Sequence, residues 1–386
     1  MKLLINVFWF FTICLTAQVD YSAISIPAEL RSDANAVIRS SETTIHIKAY
    51  DKMVIKEREI ITVLNEKGSH YSNVSESYNM DTEIKVLEAT FYNALGTEIK
   101  KVKKNKFQDV SAVSGIAMYT DDRAKYYEYI PKSYPFTLEI IKEIETKTTA
   151  FIKPFLPLNN YLTSVQNVEY TLINDSGVKL YRKEDNFEDF DIVTGETGNT
   201  LKYKASDIKA TKREALSPAF ETINPIAYFA LEVFSMKGVK GVNNDWSSFG
   251  KWMNDKLIED VVDLPQEAVQ EVKALIHEGD DDLTKARKVY QYMQNRTRYV
   301  LVALGIGGWK PDNASNVHRL GYGDCKGLTN YTKAMLDEVG VTSYHTIVYG
   351  GKKKRSLQRD FSSTQGNHMI LNIPNNGDDV WLECSS

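Results

Sequence analysis

One cysteine of the sequence occupies a position where a thiol can act as a nucleophile. Cys325 lies within residues 321–328 (GYGDCKGL), and apolar residues recur at helical spacing from Leu328 to Val339, just before Gly340. Cys325 is therefore predicted to begin a helix. The unpaired backbone N–H groups and the positive end of the helix dipole at that point favour the thiolate, which is the nucleophilic form of cysteine.

A histidine and an acid that could serve this thiol follow on predicted strands. We predict strands over residues 342–349, 367–373 and 380–384, with His368 on the middle strand and Glu383 on the last. The separation of 15 residues suits a hairpin, in which an acid on one strand can orient an imidazole on its neighbour. A cysteine-bearing helix followed by an antiparallel sheet is a papain-like order, and it predicts a nucleophile, a base and an orienting acid.

His318, His345 and Cys384 are weaker candidates for catalytic residues. His318 is predicted in the loop before the cysteine segment and His345 within a strand, and we expect both to be packed or at the surface. Cys384 is interpreted as a small buried hydrophobic residue. No Cys-x-x-Cys or His-Glu-x-x-His spacing occurs, so neither a metal site nor a cofactor is predicted.

The elements that would position these residues divide the chain into parts. Residues 18–215 contain short alternating segments separated by turns such as Asn65-Glu66-Lys67-Gly68, which predicts a β-rich, sandwich-like domain with no catalytic side chains. Residues 216–280 are interpreted as a helical connecting segment, and residues 281–386 as the core that carries the cysteine. The expected fold class is α+β.

Composition narrows the class of protein. The 386 residues are 42% hydrophobic and 25% charged, and they include 21 Gly and 10 Pro, which excludes a collagen-like or mainly disordered chain. The net charge of -4 supplies no electrostatic reason to expect nucleic acid as a partner. The composition indicates a globular protein of more than one domain.

The N-terminus indicates export. Lys2 precedes an apolar run over residues 3–17, which is too short for a comfortable membrane span and ends at Ala17, a small residue of the kind that signal peptidases require. We predict a signal peptide at residues 1–17, a periplasmic or extracellular protein, and no stable membrane span after cleavage. Removal of Cys14 with this segment leaves two cysteines, which excludes a disulfide-rich scaffold.

These motifs together resemble a known family. Gly-Asp-Cys-Lys at a helix start, Asn367-His368 on a strand and Trp381-Leu382-Glu383 on the next are similar to the transglutaminase-like core. Residues 294–299 and 305–311 look like the approach to that core in exported Bacteroidetes-type proteins, in which a β-rich domain of unknown function comes first. The third position is Glu383 where the family usually has Asp. Because the chain stops at Ser386, just past the motif, we expect it to be part of a longer protein.

The resemblance implies acyl transfer. Cys325 would attack a carboxamide or peptide carbonyl, His368 would move the proton and Glu383 would orient the imidazole, with a thioester intermediate resolved by an amine or by water. The N–H of Cys325 and a second donor would hold the oxyanion, and the position of Trp309 upstream of the motif makes it a candidate for that donor, with a packed aromatic as the alternative.

A non-catalytic function is the alternative. A chain of this kind could be an exported binding module that keeps the transglutaminase-like fold without the activity. On the catalytic interpretation the partners are protein or peptide substrates, with those of the cell envelope included. The sequence carries no signal for the oligomeric state.

Overall fold

The computed structural model describes residues 20–112, 117–352 and 355–385. The predicted signal peptide, residues 1–17, lies outside the described residues. Within them the fold is α+β, with a large β-rich N-terminal part followed by a largely helical C-terminal part, which confirms the expected fold class.

The N-terminal part contains one short α-helix, α1 (Ala28–Arg31), and a few 3-10 turns, and consists mainly of strands. The strands β1 to β16 are, in order, Ala36–Ala49, Lys52–Val63, Asn73–Tyr78, Thr82–Tyr92, Glu98–Lys103, Gln108–Ser111, Ala117–Thr120, Arg123–Glu128, Phe136–Thr146, Thr163–Asn174, Leu180–Asp185, Ile192–Thr197, Thr200–Ile208, Ile226–Leu231, Val233–Met236 and Val239–Val242.

The largest sheet has eight strands in the order β12-β13-β10-β1-β2-β9-β4-β5. Its pairs are antiparallel except for β1 and β10, which run parallel. Alternate residues such as Ile45 and Ile47 on β1 are fully buried because side chains of period two line one face of a strand. That face carries the larger of the two main hydrophobic cores of the described residues.

Smaller sheets cover this face and produce the sandwich-like layering. The β11–β14 and β15–β16 pairs place apolar side chains in the same core as the large sheet. Phe229 of β14, for example, stacks on Tyr170 of β10 with ring centroids 5.5 Å apart. The layers therefore consist of one broad sheet and several small ones.

The C-terminal part contains the remaining elements. The helices α2 to α6 are Trp246–Met253, Gln266–Ala274, Asp282–Arg296, Ala314–Leu320 and Cys325–Glu338, and the strands β17 to β22 are Arg298–Tyr299, Leu301–Ala303, Tyr322–Gly323, Tyr344–Val348, His368–Ile373 and Val380–Leu382. A π-helical turn, Asn254–Ile258, continues α2. None of the described helices is long and apolar enough to cross a membrane.

The second core surrounds α6. Leu328, Met335 and Leu336 of this helix are buried among residues of α3, α4, α5 and the β20-β21-β22 sheet. Thr329 Oγ1 also donates a hydrogen bond to the Met369 carbonyl at 3.2 Å, which ties α6 to β21. The helix that begins at Cys325 is thus fixed in the centre of the C-terminal part.

Residues 216–280 were predicted as a helical connection, but part of this segment forms strands. Residues 226–242 form β14, β15 and β16, and helical structure of eight residues or more starts only at Trp246 within the described residues. Phe249 and Trp252 of α2 pack in the first core together with β14 and β15, so the change of core falls after Ile258 and not at 215. Short apolar runs do not reveal their secondary structure by periodicity; here β14 pairs with the distant β11, and β15 and β16 pair with each other.

One histidine is also placed differently from the prediction. His318 lies in α5 and not in a loop, and it is buried. Its Nδ1 is 2.8 Å from Tyr331 Oη and its Nε2 is 2.9 Å from Arg296 Nη2, so it belongs to a polar network between helices.

Candidate functional site

Cys325 is the first residue of α6, as the sequence predicts. Asp324 precedes it as the N-cap, and its carboxylate accepts a hydrogen bond from the Gly327 N–H at 2.9 Å. The N–H of Cys325 is one of the first-turn amides that have no acceptor within the helix. The thiol is buried and not disulfide-bonded.

The sheet brings a histidine and an acid to this thiol. His368 begins β21, where it pairs with Val348 of β20, and Glu383 directly follows β22. His368 Nε2 lies 2.6 Å from Glu383 Oε2, and the imidazole also shares a hydrogen bond with Cys325. Because Nε2 faces Glu383, Nδ1 is the ring nitrogen left for the sulfur. The three predicted residues therefore lie together.

The protonation of His368 follows from these two neighbours. The hydrogen bond with Cys325, together with that from Glu383, outweighs burial and raises the pKa of His368 to about 9. Burial disfavours the charged form of Glu383, but hydrogen bonds from His368 and Ser385 hold its pKa below the ordinary value. An imidazolium between a sulfur and a carboxylate is the arrangement that a nucleophilic cysteine requires.

The Glu383 carboxylate is itself oriented. Its Oε1 accepts a hydrogen bond from the Ser385 N–H at 2.9 Å, which leaves Oε2 for His368. The Glu383 carbonyl accepts a hydrogen bond from Tyr290 Oη at 2.5 Å. The extra methylene of Glu, compared with Asp, is thus accommodated without loss of the contact to the imidazole.

Cys325 and His368 line a cavity of about 500 Å³. Tyr299, Met369 and residues of 301–309 form much of its wall. The N-terminal part contributes Asp121, Asp122, Phe151 and Lys237. The two parts are also joined beside the cavity, because β18 pairs in parallel with β7. The β-rich part, which was predicted as a domain without catalytic side chains, thus forms one wall of the candidate site.

Trp309 lines the same cavity. Its backbone N–H donates to the Ile306 carbonyl at 2.8 Å, and its ring centroid lies 5.2 Å from that of Phe151. Among the described residues no acceptor is hydrogen-bonded to the indole N–H. The indole is therefore the donor that Trp309 has available for a ligand, and an oxyanion role for it remains a proposal.

Two features next to the thiol were not anticipated from the sequence. Lys326 and Asp324 form a buried ion pair on the two sides of Cys325. Tyr299 faces the cavity, and burial, followed by the negative charges of Cys325, Asp324 and Glu383, raises its pKa to about 12. The Gly-Asp-Cys-Lys segment could have indicated the ion pair, but nothing in the sequence around Tyr299 marks it.

The remaining candidate side chains lie away from the thiol. Cys384 is buried in the second core, and burial raises its pKa to about 11, which confirms it as a structural residue. His345 is on β20, as predicted, and burial lowers its pKa to about 4. In the part of the chain that the structure describes, no group of three or more His, Cys, Asp or Glu could hold a metal ion.

The fold is similar to that of a solved structure. A protein from Parabacteroides distasonis ATCC 8503, described as a candidate protease, superposes with a TM-score of 0.64 at 15% identity, over 90% of this chain and 67% of its own. An M1 zinc metallopeptidase from Deinococcus radiodurans gives a TM-score of 0.23 at 6% identity, over 51% of this chain and 42% of its own. No curated protein matches the sequence.

A family match covers the β-rich part. Residues 50–212 match DUF3857, described as a domain of unknown function with a solved structure. The match spans β2 to β13, including most of the strands of the large sheet. Residues 50–212 of the chain are therefore similar to DUF3857.

Proposed function

We propose that this protein is a cysteine acyl-transfer enzyme with a transglutaminase-like core. Cys325 is the nucleophile, His368 the general base and acid, and Glu383 the orienting carboxylate. The substrate is a protein or peptide that presents a carboxamide or peptide carbonyl to the cavity. The acyl group is transferred to an amine, which gives an amide, or to water, which gives a carboxylic acid.

One observation carries the proposal. His368 contacts both the Cys325 thiol and the Glu383 carboxylate at the wall of a cavity large enough for part of a peptide. A nucleophile, a base within hydrogen-bond reach and a third group that orients the base are the arrangement from which such chemistry is recognised.

The chemistry follows from the geometry. His368 accepts the thiol proton, and the Cys325 sulfur forms a bond to the carbonyl carbon as the carbonyl π electrons move to oxygen. The tetrahedral intermediate collapses, the C–N bond breaks, and the imidazolium protonates the departing amine. An amine or water then attacks the thioester and loses a proton to His368, and the C–S bond breaks to regenerate the cysteine. The Cys325 N–H and the Trp309 indole are the proposed oxyanion donors.

The contact between His368 and Glu383 argues against the non-catalytic alternative. That alternative rested on Glu383 in place of Asp, which could have left the imidazole without its acid. The 2.6 Å contact between His368 Nε2 and Glu383 Oε2 supports an intact set. The burial of Cys325 within the cavity wall is also compatible with a substrate-accessible thiol, because the cavity is open to it.

The test uses thiol reactivity and turnover. We expect iodoacetamide to label Cys325 at neutral pH much faster than Cys384, which is buried and has a raised pKa. Glutamine-containing and cell-wall peptides, incubated with and without a primary amine, distinguish transamidation from hydrolysis by the mass of the product. Cys325→Ala is the inactive control, and Cys384→Ala is the matched control for loss of a thiol.

Two results would contradict the proposal. The first is a Cys325 that reacts with iodoacetamide no faster than a free cysteine at pH 7. The second is a reactive Cys325 whose labelling is unchanged in His368→Ala, since the base would then have no part in its reactivity. Either result would favour the non-catalytic binding module.

Export is a separate proposal. It rests on Lys2 and the apolar run over residues 3–17. Expression of the full chain in a bacterial host, followed by mass spectrometry of the N-terminus, tests it. Cleavage after Ala17 and recovery in the periplasm or the medium are the expected results, and an intact N-terminus in the cytoplasm would contradict the proposal.

A further inference from the structure

The segment that leads into His368 is held by the β-rich part of the molecule. This segment, residues 355–367, is called the strap here, and it connects the β20 side of the sheet to His368 at the start of β21. We infer that Lys183 and Asn243 of the β-rich part are positioning residues, which orient His368 toward Cys325 by anchoring the strap. The inference rests on the proposed function and adds a role for the β-rich part in it.

Lys183 makes the first anchor. It lies on β11, and its ammonium is 2.6 Å from Asp360 Oδ1 and 2.8 Å from Gln358 Oε1. Both acceptors belong to the strap. The lysine side chain is largely buried, whereas Asp360 is mostly exposed, so the cation sits on the rigid side of the contact. One side chain of the large N-terminal part thus fixes two positions of the strap.

Asn243 makes the second anchor. It is buried at the end of β16, where its side-chain N–H donates to the Ser362 carbonyl at 2.8 Å and its Oδ1 accepts from the Ser362 hydroxyl. Its backbone N–H donates to the Glu232 carbonyl at 2.7 Å, which holds Asn243 in the β-rich part. Trp246 Nε1 adds a hydrogen bond to the Arg359 carbonyl at 2.7 Å.

A short chain of contacts carries this anchoring to His368. Gln365 links the strap to itself, because Oε1 accepts from the Gln358 N–H at 2.7 Å and Nε2 donates to the Phe361 carbonyl at 2.8 Å. Asn367 then joins β20 through its N–H to the Val348 carbonyl at 3.0 Å. The residues between the anchors and the histidine therefore have little freedom.

Gly366 shows how closely this passage is packed. It adopts a positive φ of 83°, and a Cβ at that position would lie 2.3 Å from Ile347 Cγ2. On the other side, a Cβ at Gly350 would lie 3.1 Å from the His368 Cβ. A shift of the strap cannot be absorbed here without moving the imidazole, because the backbone already passes at contact distance.

The test compares two lysines of the β-rich part. Lys183→Met removes the anchor, and Lys204→Met is the matched control, since Lys204 pairs with Glu169 at 2.7 Å on the large sheet without contacting the strap. Lys183→Arg keeps a cation with several donors. The full chain is used, and the rate of Cys325 alkylation by iodoacetamide is measured by peptide mass spectrometry from pH 6 to pH 9.

The expected result is a change in the pH profile. Loss of the imidazolium beside the sulfur reduces the thiolate fraction most at low pH, so Lys183→Met should lower the alkylation rate at pH 6 by about fivefold and much less at pH 9. Lys204→Met should follow the wild type, and Lys183→Arg should recover most of the loss. Asn243→Ala should also lower the alkylation rate more at pH 6 than at pH 9.

The outcomes separate the two proposals. His368→Ala defines the profile without the base. A wild-type profile equal to that of His368→Ala would overturn the proposed function and the inference with it. An activated wild-type Cys325, combined with Lys183→Met and Asn243→Ala profiles that match Lys204→Met, would overturn the inference alone. A uniform loss at every pH would also overturn it, because loss of the imidazolium acts mainly at low pH.

Discussion

At the scale of the residue, the two free cysteines of the described part of the chain are a natural pair for comparison. Cys325 begins a helix and faces a cavity, whereas Cys384 packs in the second core. We expect Cys325→Ala to abolish thiol labelling and acyl transfer with little change in stability. Cys384→Ala should keep both and lower the free energy of unfolding by about 1 kcal/mol, because it leaves a small void. Labelling stoichiometry and urea denaturation measure the two effects.

The acid is expected to matter less than the base. Glu383→Gln retains a side chain that can hydrogen-bond to the imidazole, so its activity should fall only in part, by up to about 10⁴-fold in kcat, which is less than the loss from removing the nucleophile or the base. His368→Ala and Cys325→Ala should be almost inactive. Full inactivity of Glu383→Gln would mean that the carboxylate does more than orient the ring. No effect would mean that the placement of the acid at Glu383 is wrong.

The histidine also predicts a dependence of stability on pH. The pKa of His368 is raised from 6.5 to about 9 on folding, so its stabilising contribution is complete below pH 6.5 and is lost as the pH rises through about 9. The difference in unfolding free energy between wild type and His368→Ala should shrink over this interval. Urea denaturation at pH 6, 7.5 and 9 tests it, and a difference that is constant with pH would contradict it.

At the scale of the element, the start of α6 combines a cap with a buried ion pair. Asp281→Ala is the matched reference, because Asp281 caps α4 through the Thr284 N–H at 2.8 Å, at an exposed position, and should cost about 1 kcal/mol. Asp324→Ala removes a cap and also leaves Lys326 buried without its partner, so it should cost about 3–5 kcal/mol.

A double variant separates the two contributions at α6. Asp324→Ala with Lys326→Met removes the unpaired charge, and we expect it to recover part of the loss seen in Asp324→Ala. Chemical denaturation of the three variants measures the free energies. If the double variant is less stable than Asp324→Ala, the buried charge is not the source of the larger cost.

At the scale of the whole molecule, the packing of residues 226–242 predicts how the chain responds to proteases. Residues 226–242 are strands of the first core, whereas Lys212 and Arg213 lie in an exposed segment without regular structure. Trypsin should therefore cut at Lys212 or Arg213. The fragments should stay together in gel filtration, because β11 before the cut pairs with β14 after it. Fragments that separate without denaturant would show that the two parts are independent, as the sequence alone suggested.

The sequence by itself was sufficient for the features that depend on nearby residues. Cys325 at a helix start, the apolar stripe from Leu328 and the strands at or next to His368 and Glu383 are visible in it, because turns and periodicity involve residues a few positions apart. The α+β class followed from the same local patterns, since the order of strands and helices limits how they can be layered.

Only the tertiary structure decided which distant residues meet. The cavity wall formed by Asp121, Phe151 and Lys237, the pairing of β14 with β11 and the anchoring of the strap by Lys183 join residues far apart in the chain. No periodicity or cap records such contacts, because they depend on how the large sheet, the small sheets and the helices pack. The residues that supply the chemistry are therefore recognisable from local sequence patterns, whereas the cavity around them forms only when distant elements pack together.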